Sequence, residues 1–292
     1  MNVIERTEEA RSQLARWCAD GKSVGLIPTM GALHAGHLSL AQRSRDECDR
    51  TVATIFVNPT QFGPGEDFSR YPRTLDDDLQ ALGEQGVDLV FVPTQRELYP
   101  PGFSTYVEPP DVARELEGQY RPGHFRGVAT IVLKLFHILP ATAAYFGQKD
   151  YQQLAVIRRM TRDLNLPIQI VGCPTVREPD GLAMSSRNRY LSAADRPRAL
   201  GLWSALQAAA QLFEQGQRDA PAIEQHMIQS LLQHGVDSID YARVVDAESL
   251  MTVSPISGSA VALIAARIGN TRLIDNMILS SPKATDRGTR DE

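Results

Sequence analysis

From residue 23 onward, short apolar runs alternate with stretches whose apolar positions recur at helical spacing. SVGLIPT (23–29) predicts a strand buried on both faces, because Val24, Leu26 and Ile27 leave no polar face. TVATIFVN (51–58), VDLVFVP (87–93), AAYFGQ (143–148) and IQIVGCPTV (168–176) repeat the signature. Between them, helical periodicity covers 38–48, 75–84, 128–139 and 151–164. Continuous apolar strands separated by helices indicate βαβ units, hence an α/β fold with a parallel sheet flanked by helices. Ligands of such sheets lie beyond the carboxyl ends of the strands, where the strand order reverses.

The pattern changes after residue 176. A polar, glycine-containing loop, REPDGLAMSSRNRYLS, leads into an alanine-rich helix over 194–215 and a second helix over 220–234, with Pro221 near its start. Strand-like runs follow at 238–245, 260–267 and 271–279. Two helices and three strands without helical crossovers predict a smaller C-terminal α+β domain. The expected organisation is a ligand-binding domain over 1–176, a smaller lid domain over 177–279, and a disordered tail over 280–292, which has nothing to bury.

Composition narrows the class. Hydrophobic residues make up 42% of the 292 positions, enough for a real core, so neither intrinsic disorder nor a disulfide-stapled miniprotein fits. Thirty basic against thirty-five acidic residues give a net charge of −5, a poor basis for generic nucleic-acid binding. The N-terminal MNVIERTEEARSQ carries charges where a signal peptide needs an apolar run. The most apolar stretch, 127–147, is interrupted by Lys134, His137 and Pro140, which argues against a membrane span. Cys18, Cys48 and Cys173 are odd in number and lack C-x-x-C spacing, so neither a disulfide framework nor a cysteine zinc site is expected. These features lead to the expectation of a cytoplasmic protein without nucleic-acid or membrane partners.

The candidate chemistry gathers at the predicted strand ends. The first strand runs into PTMGALHAGHLSL, where His34 and His37 stand three apart at a helix start. Unpaired N–H groups, the positive dipole end and imidazole donors make that a cradle for phosphates. The plainer alternative is a pair of helix-capping histidines; a metal pair lacks a third ligand nearby. Gly21-Lys22-Ser23 imitates the end of a P-loop, but Arg16 stands where that motif needs glycine, and the segment precedes its strand. Asn58 and Gln61 follow the second strand; a glutamine there can hold hydroxyl and carboxylate groups, or be an ordinary loop residue. Lys149, Asp150 and Gln153 follow the fourth strand, and Ser185, Ser186 and Arg187 suit closure over a polyphosphate. Arg121, His124 and Arg126 form a basic patch without an assigned role. In an acidic chain that binds a polyanion, positive charge is expected to concentrate at His34, His37, Lys149 and Arg187.

Taken together, VGLIPTMGALHAGHLSL, TIFVNPTQFGPGEDFSRYPRT, RPGHFRGV, YFGQKDYQQLAVIRRM, DGLAMSSRNRYLS and RLIDN resemble the pantoate–β-alanine ligase (pantothenate synthetase) family over nearly the whole chain. The HxGH element alone is shared with other HIGH-type nucleotidylyltransferases and class I aminoacyl-tRNA synthetases; NPTQF, RPGHFRG and KDYQQL together are far more restrictive. Gln148 departs from the glutamate common at its position, and Arg187 stands where the synthetases' KMSKS loop has its second lysine.

The resemblance implies a Rossmann-like domain and an ATP-dependent condensation of pantoate with β-alanine through pantoyl adenylate, giving pantothenate, AMP and pyrophosphate. It implies that His37, His34 and Lys149 are catalytic. ATP would be bound by Met30, Gly31, Ala32, Leu33, His34, Ala35, Gly36 and His37. Gly147, Gln148, Lys149, Asp150 and Val176 would hold its adenosine and reacting phosphate, and Met184, Ser185, Ser186 and Arg187 would close over the phosphates. Gln61 and Gln153 would bind pantoate, and Gln61 would later meet β-alanine. Magnesium is expected on the ATP phosphates rather than in a protein cage, and the family is typically homodimeric.

Overall fold

The computed structural model describes residues 1–280. The chain divides into two compact units, Met1–Arg189 and a second beginning at Tyr190. In the first, six parallel strands are ordered β1-β4-β3-β2-β5-β6: β1 (Asn2–Ile4), β2 (Val24–Thr29), β3 (Arg50–Ile55), β4 (Leu89–Phe91), β5 (Ala143–Gly147) and β6 (Gln169–Cys173). Successive residues send side chains to opposite faces. Leu26, Val52, Leu89 and Ala144 join one apolar core with helices α1 (Thr7–Ala19), α6 (His124–Ile138) and α7 (Tyr151–Asp163). Ile27, Ala53, Val90 and Tyr145 join another with α2 (Ala35–Glu47) and α3 (Leu75–Glu84). Strands buried on both sides explain why their sequences read as unbroken apolar runs. Short helices α4 (Gln95–Leu98) and α5 (Glu117–Tyr120) punctuate the long connection from β4 to α6.

The chain runs outward from β2 through β3 to β4, then returns to the other side of β2 with β5. The sheet opens at this reversal. β2 pairs with β3 through Thr29, but with β5 only at Gly25 and Leu26. The Val24 carbonyl bonds to Thr142 just ahead of β5, so alternate residues Leu26 and Pro28 face β5 as well. Pro28 has no N–H to give, and the ladder ends there. A single proline thus splits the sheet at its carboxyl edge.

In the second unit, α8 (Asp195–Glu214) and α9 (Ala220–Gln233) pack together and against an antiparallel sheet of β7 (Ser238–Asp246), β8 (Ala260–Ile268) and β9 (Thr271–Leu279). The central strand, β8, is buried along nearly its whole length.

Several elements differ from expectation: α4 and α5 have no counterpart in the expected pattern, α2 begins at 35 rather than 38, and β4 and β6 are shorter than their apolar runs. β1 and α1 were not anticipated: three residues are too few to show a strand pattern, and α1 buries only Ala10 and Leu14. Helix α6 starts at His124 rather than at 128: Gly123, at φ 83°, turns the chain into a first turn, His-Phe-Arg-Gly, whose single apolar side chain, Phe125, is too little to show the periodicity. The disorder expected of the tail lies, from residue 281 on, outside the described residues.

Candidate active site

A cavity of the first unit lies at the opened carboxyl edge. The segments after β2, β3, β5 and β6 line it, together with α6 and residues 184–187. After β2, the chain enters α2 with His34 as its N-cap. The Gly36 N–H donates to His34 Nδ1 at 3.1 Å, and the His34 N–H donates to His37 Nδ1 at 3.4 Å. Capping and lining a ligand cavity are therefore not alternatives. A neutral imidazole whose Nδ1 accepts carries its proton on Nε2. Both rings, 4.2 Å apart, thus keep an Nε2–H donor to offer to the cavity beside the helix N-terminus.

The charge expected on these histidines is absent. Burial lowers His34 to about 4, with Lys149 adding to the effect. Burial lowers His37 to about 3, with His34 adding to it. His124 falls to about 4 through burial and the neighbouring Arg121. Near neutral pH the imidazoles act as dipoles, and the cavity's fixed positive charge lies on Lys149, Arg187 and Arg121. Folded-state values below the unfolded one, near 6.5, mean that unfolding takes up protons between those limits. Stability should be complete above pH 6.5 and fall as pH drops towards 4. Urea unfolding from pH 7.5 to 5 measures this, with imidazole NMR titration alongside. A His37 midpoint near 6.5 would contradict the assignment.

After β3, Asn58 is buried, and its amide orientation is fixed by its partners. Its Oδ1 accepts from the Thr60 hydroxyl and the Tyr99 hydroxyl, each at 2.9 Å, while Nδ2 donates to the Gly127 carbonyl and to Gln61 Oε1 at 3.1 Å. Gln61 must turn its oxygen towards Asn58, leaving its NH₂ group beside Met30 Sδ, 3.0 Å away. The network makes Gln61 a donor to whatever oxygen the cavity admits. Glycine is required at 127: a Cβ there would stand 2.2 Å from the Thr60 carbonyl oxygen.

The patch without an assigned role divides. Arg121 and His124 line the cavity. His124 donates from Nδ1 to the Gln61 carbonyl at 2.8 Å and accepts from Arg121 on Nε2. Arg126 instead lies over the Tyr106 ring, 4.0 Å from its centroid.

After β5, Lys149 Nζ lies 3.6 Å from Asp150 Oδ1, its side chain 19% exposed. Burial works to raise the Asp150 carboxyl, but Lys149 and Arg187 outweigh it and hold it below the usual range. Gln153 faces the cavity, whereas Gln152 is buried and binds the 112–117 backbone. Arg187 makes a two-pronged pair with Asp67 at 2.9 and 3.0 Å, and Arg121 pairs likewise with Glu66. Two consecutive carboxylates of the 62–70 loop thus hold two of the guanidinium groups that line the cavity.

Of the anticipated residues, Met30, His34, Gly36, His37, Gln61, Gly147, Lys149, Asp150, Gln153, Val176 and Met184–Arg187 share this cavity. Gly31, Ala32, Leu33, Ala35 and Gln148 are not among its walls. Tyr71 and Tyr145 join it as well; both lie inside the segments that carry the family resemblance, but the sequence assigns neither a role. Among the described residues no cluster of three potential metal ligands occurs, and no helix is long and apolar enough to cross a membrane.

Known proteins bear on this arrangement. Residues 2–278 match the sequence profile of a family described as pantoate-beta-alanine ligase. A pantothenate synthetase of Thermotoga petrophila is 51% identical over 279 residues, spanning 96% of this chain and 100% of that protein. The crystal structure of a pantothenate synthetase from Thermus thermophilus is 45% identical with a TM-score of 0.92, covering 96% of this chain and 100% of the other. A pantoate-beta-alanine ligase from Francisella tularensis, crystallised with beta-gamma ATP and beta-alanine, is 32% identical with a TM-score of 0.81, covering 97% and 99%.

Proposed function

The chain belongs to the pantoate–β-alanine ligase family, and from that premise we propose how its cavity joins pantoate to β-alanine at the expense of ATP. One observation carries the reading: at the split between β2 and β5, two Nε2–H donors, a helix N-terminus and Lys149 converge beside the donor amide of Gln61. An anion and a small oxygen-bearing acid can be held side by side there.

In the first step, a pantoate carboxylate oxygen attacks the α-phosphorus of ATP. The P–O bond to the β-phosphate breaks, and pyrophosphate leaves. In the second, the neutral amine of β-alanine attacks the acyl carbon of the adenylate, a C–N bond forms, the acyl–O bond breaks, AMP departs and the amine loses a proton. Each nucleophile comes from a substrate, so the protein contributes alignment and charge stabilisation. Lys149 neutralises charge at the reacting phosphate. His34 and His37 donate to phosphate oxygens, with His37 at the departing pyrophosphate, where nearby negative charge favours protonation of the imidazole. Gly147, Asp150 and Val176 hold the adenosine, and Met184–Arg187 close over the phosphates once Arg187 exchanges Asp67 for them. Gln61 and Gln153 grip pantoate, and Gln61 later meets β-alanine.

A magnesium ion fits as a companion of ATP. Asp150 is the only carboxylate among the described cavity residues, so the ion would be held chiefly by phosphate oxygens and water, with neutralisation of phosphate charge as its contribution. A homodimer and a cytoplasmic location complete the proposal on the strength of the family resemblance.

Replacing Gln61 with alanine removes a hydrogen bond to a charged substrate and should raise the apparent KM for pantoate about tenfold. An unchanged pantoate KM would remove Gln61 from that role. The route itself is tested by exchange of labelled pyrophosphate into ATP. Pantoate alone should support exchange, whereas amino acids and nicotinate nucleotides should not; exchange that ignores pantoate would refute the adenylate route.

A further inference from the structure

Helix α3 opens with three aspartates, which by sequence are an ordinary complement to the helix dipole. The structure separates them. Asp76 and Asp77 are exposed, whereas Asp78 is turned inward and is only 3% exposed. A buried carboxylate without a cation persists only when its oxygens are well supplied with donors. Among the described residues no cation pairs with Asp78, and its donors come from an unexpected place. Oδ2 accepts from the Ala32 N–H at 2.9 Å and the Thr74 hydroxyl at 3.3 Å, and Oδ1 accepts from the Leu33 N–H at 2.8 Å.

Ala32 and Leu33 belong to the turn that delivers the chain from β2 to His34. That turn takes two consecutive left-handed residues, Gly31 at φ 79° and Ala32 at φ 52°. An alanine there is strained, so the conformation must be enforced from outside. Left-handed turns of this kind direct successive N–H groups towards one point and form an anion nest. Here the nest is filled by the protein's own carboxylate. Space is tight as well: a Cβ at Gly31 would stand 2.9 Å from Asp78 Oδ2. The residue after Leu33 is His34, whose ring in turn shares a capping arrangement with His37.

We infer that Asp78 is a positioning residue of the ligase: its buried carboxylate locks the 31–33 turn and so sets where His34 and His37 present their donors. The inference rests on the assignment of those histidines to the phosphates. It places the effect of Asp78 in adenylate formation, where the donors meet developing charge, and not in the aminolysis step.

The test is Asp78→Asn, nearly isosteric but offering an NH₂ group to one of the two N–H donors. A displacement of the donors by a fraction of an ångström should lower kcat for pantoate-dependent adenylate formation by about 10- to 100-fold. Attack of β-alanine on supplied pantoyl adenylate should stay within about threefold of wild type, well below the cost expected of lost alignment. Hydrogen exchange at Ala32 and Leu33 should quicken, and exposed Asp76→Asn should match wild type throughout. If Asp78→Asn fails to fold, Thr74→Val removes one donor without stranding a charge and should show the same split, smaller in size. Equal losses in both half-reactions, full recovery at raised magnesium, or a wild-type kcat despite faster exchange at Ala32 and Leu33 would each overturn the inference. His37→Ala separates the two levels. Wild-type adenylation in that variant sinks the histidine assignment itself, whereas an inactive His37→Ala beside a fully active Asp78→Asn sinks only the role of Asp78.

Discussion

Replacing Lys149 with alanine should lower the rate of adenylate formation by about 10²–10³-fold while leaving the protein folded. The side chain is 19% exposed and stands where the chain leaves β5, at the mouth of the split beside β2. No other lysine is among the described cavity residues. Charge on the transferring phosphate grows as pyrophosphate departs, so a cation held there stabilises the transition state more than bound ATP. The loss should therefore fall on kcat more than on the KM for ATP. It should also reach Asp150, whose carboxyl is held low by Lys149 before any other cation. Lys149→Arg should recover part of the rate, since the charge returns in a broader, differently hydrated form. Rapid-quench measurement of AMP formation reads the step directly, and a Lys149→Ala rate within about fivefold of wild type would remove the lysine from the chemistry.

His37→Ala should cost adenylate formation at least about 10²-fold, the size found for one donor aimed at developing negative charge. Its two ring nitrogens have different tasks, which makes the cause separable. Nδ1 accepts the His34 N–H and closes the helix cap, whereas Nε2–H is the donor left for phosphate. His37→Asn places an oxygen near the Nδ1 position and keeps the cap but has nothing at Nε2. His37→Gln places an NH₂ group near Nε2 and loses the cap. Catalysis through Nε2–H predicts that Asn is as poor as Ala and that Gln recovers activity. Recovery by Asn alone would show the cap to be what matters, and adenylation rates of the three variants at fixed ATP decide the point.

Much of this arrangement was legible in the sequence because the strands are buried on two faces. Runs such as TVATIFVN admit few other readings, and the helix over 75–84 was found at its observed bounds. The HxGH and KDYQQ segments were visible since they fall at strand ends, where a parallel sheet puts its ligands. What escaped depends on contacts between distant residues. Nothing local distinguishes Asp78 from Asp76 and Asp77; only the packing of α3 against the turn after β2 does so. The charge state of the histidines escaped for a similar reason, because burial sets it and residue type does not. Arg121 and His124 drew notice as a basic patch, but their link to Gln61 needs the close approach that Gly127 allows. The pairing of Arg121 and Arg187 with Glu66 and Asp67 brings residues 55 and 120 positions apart together, and no motif records it.

The central claim is that one cavity activates pantoate with ATP before β-alanine takes part. Single-turnover formation of AMP-containing species, measured with enzyme in excess over ATP, tests it most directly. With pantoate and no β-alanine, ATP should convert to enzyme-bound pantoyl adenylate and pyrophosphate, with free AMP appearing only once β-alanine is added. ATP that stays intact until β-alanine arrives, or free AMP released at the same rate without pantoate, would contradict the account.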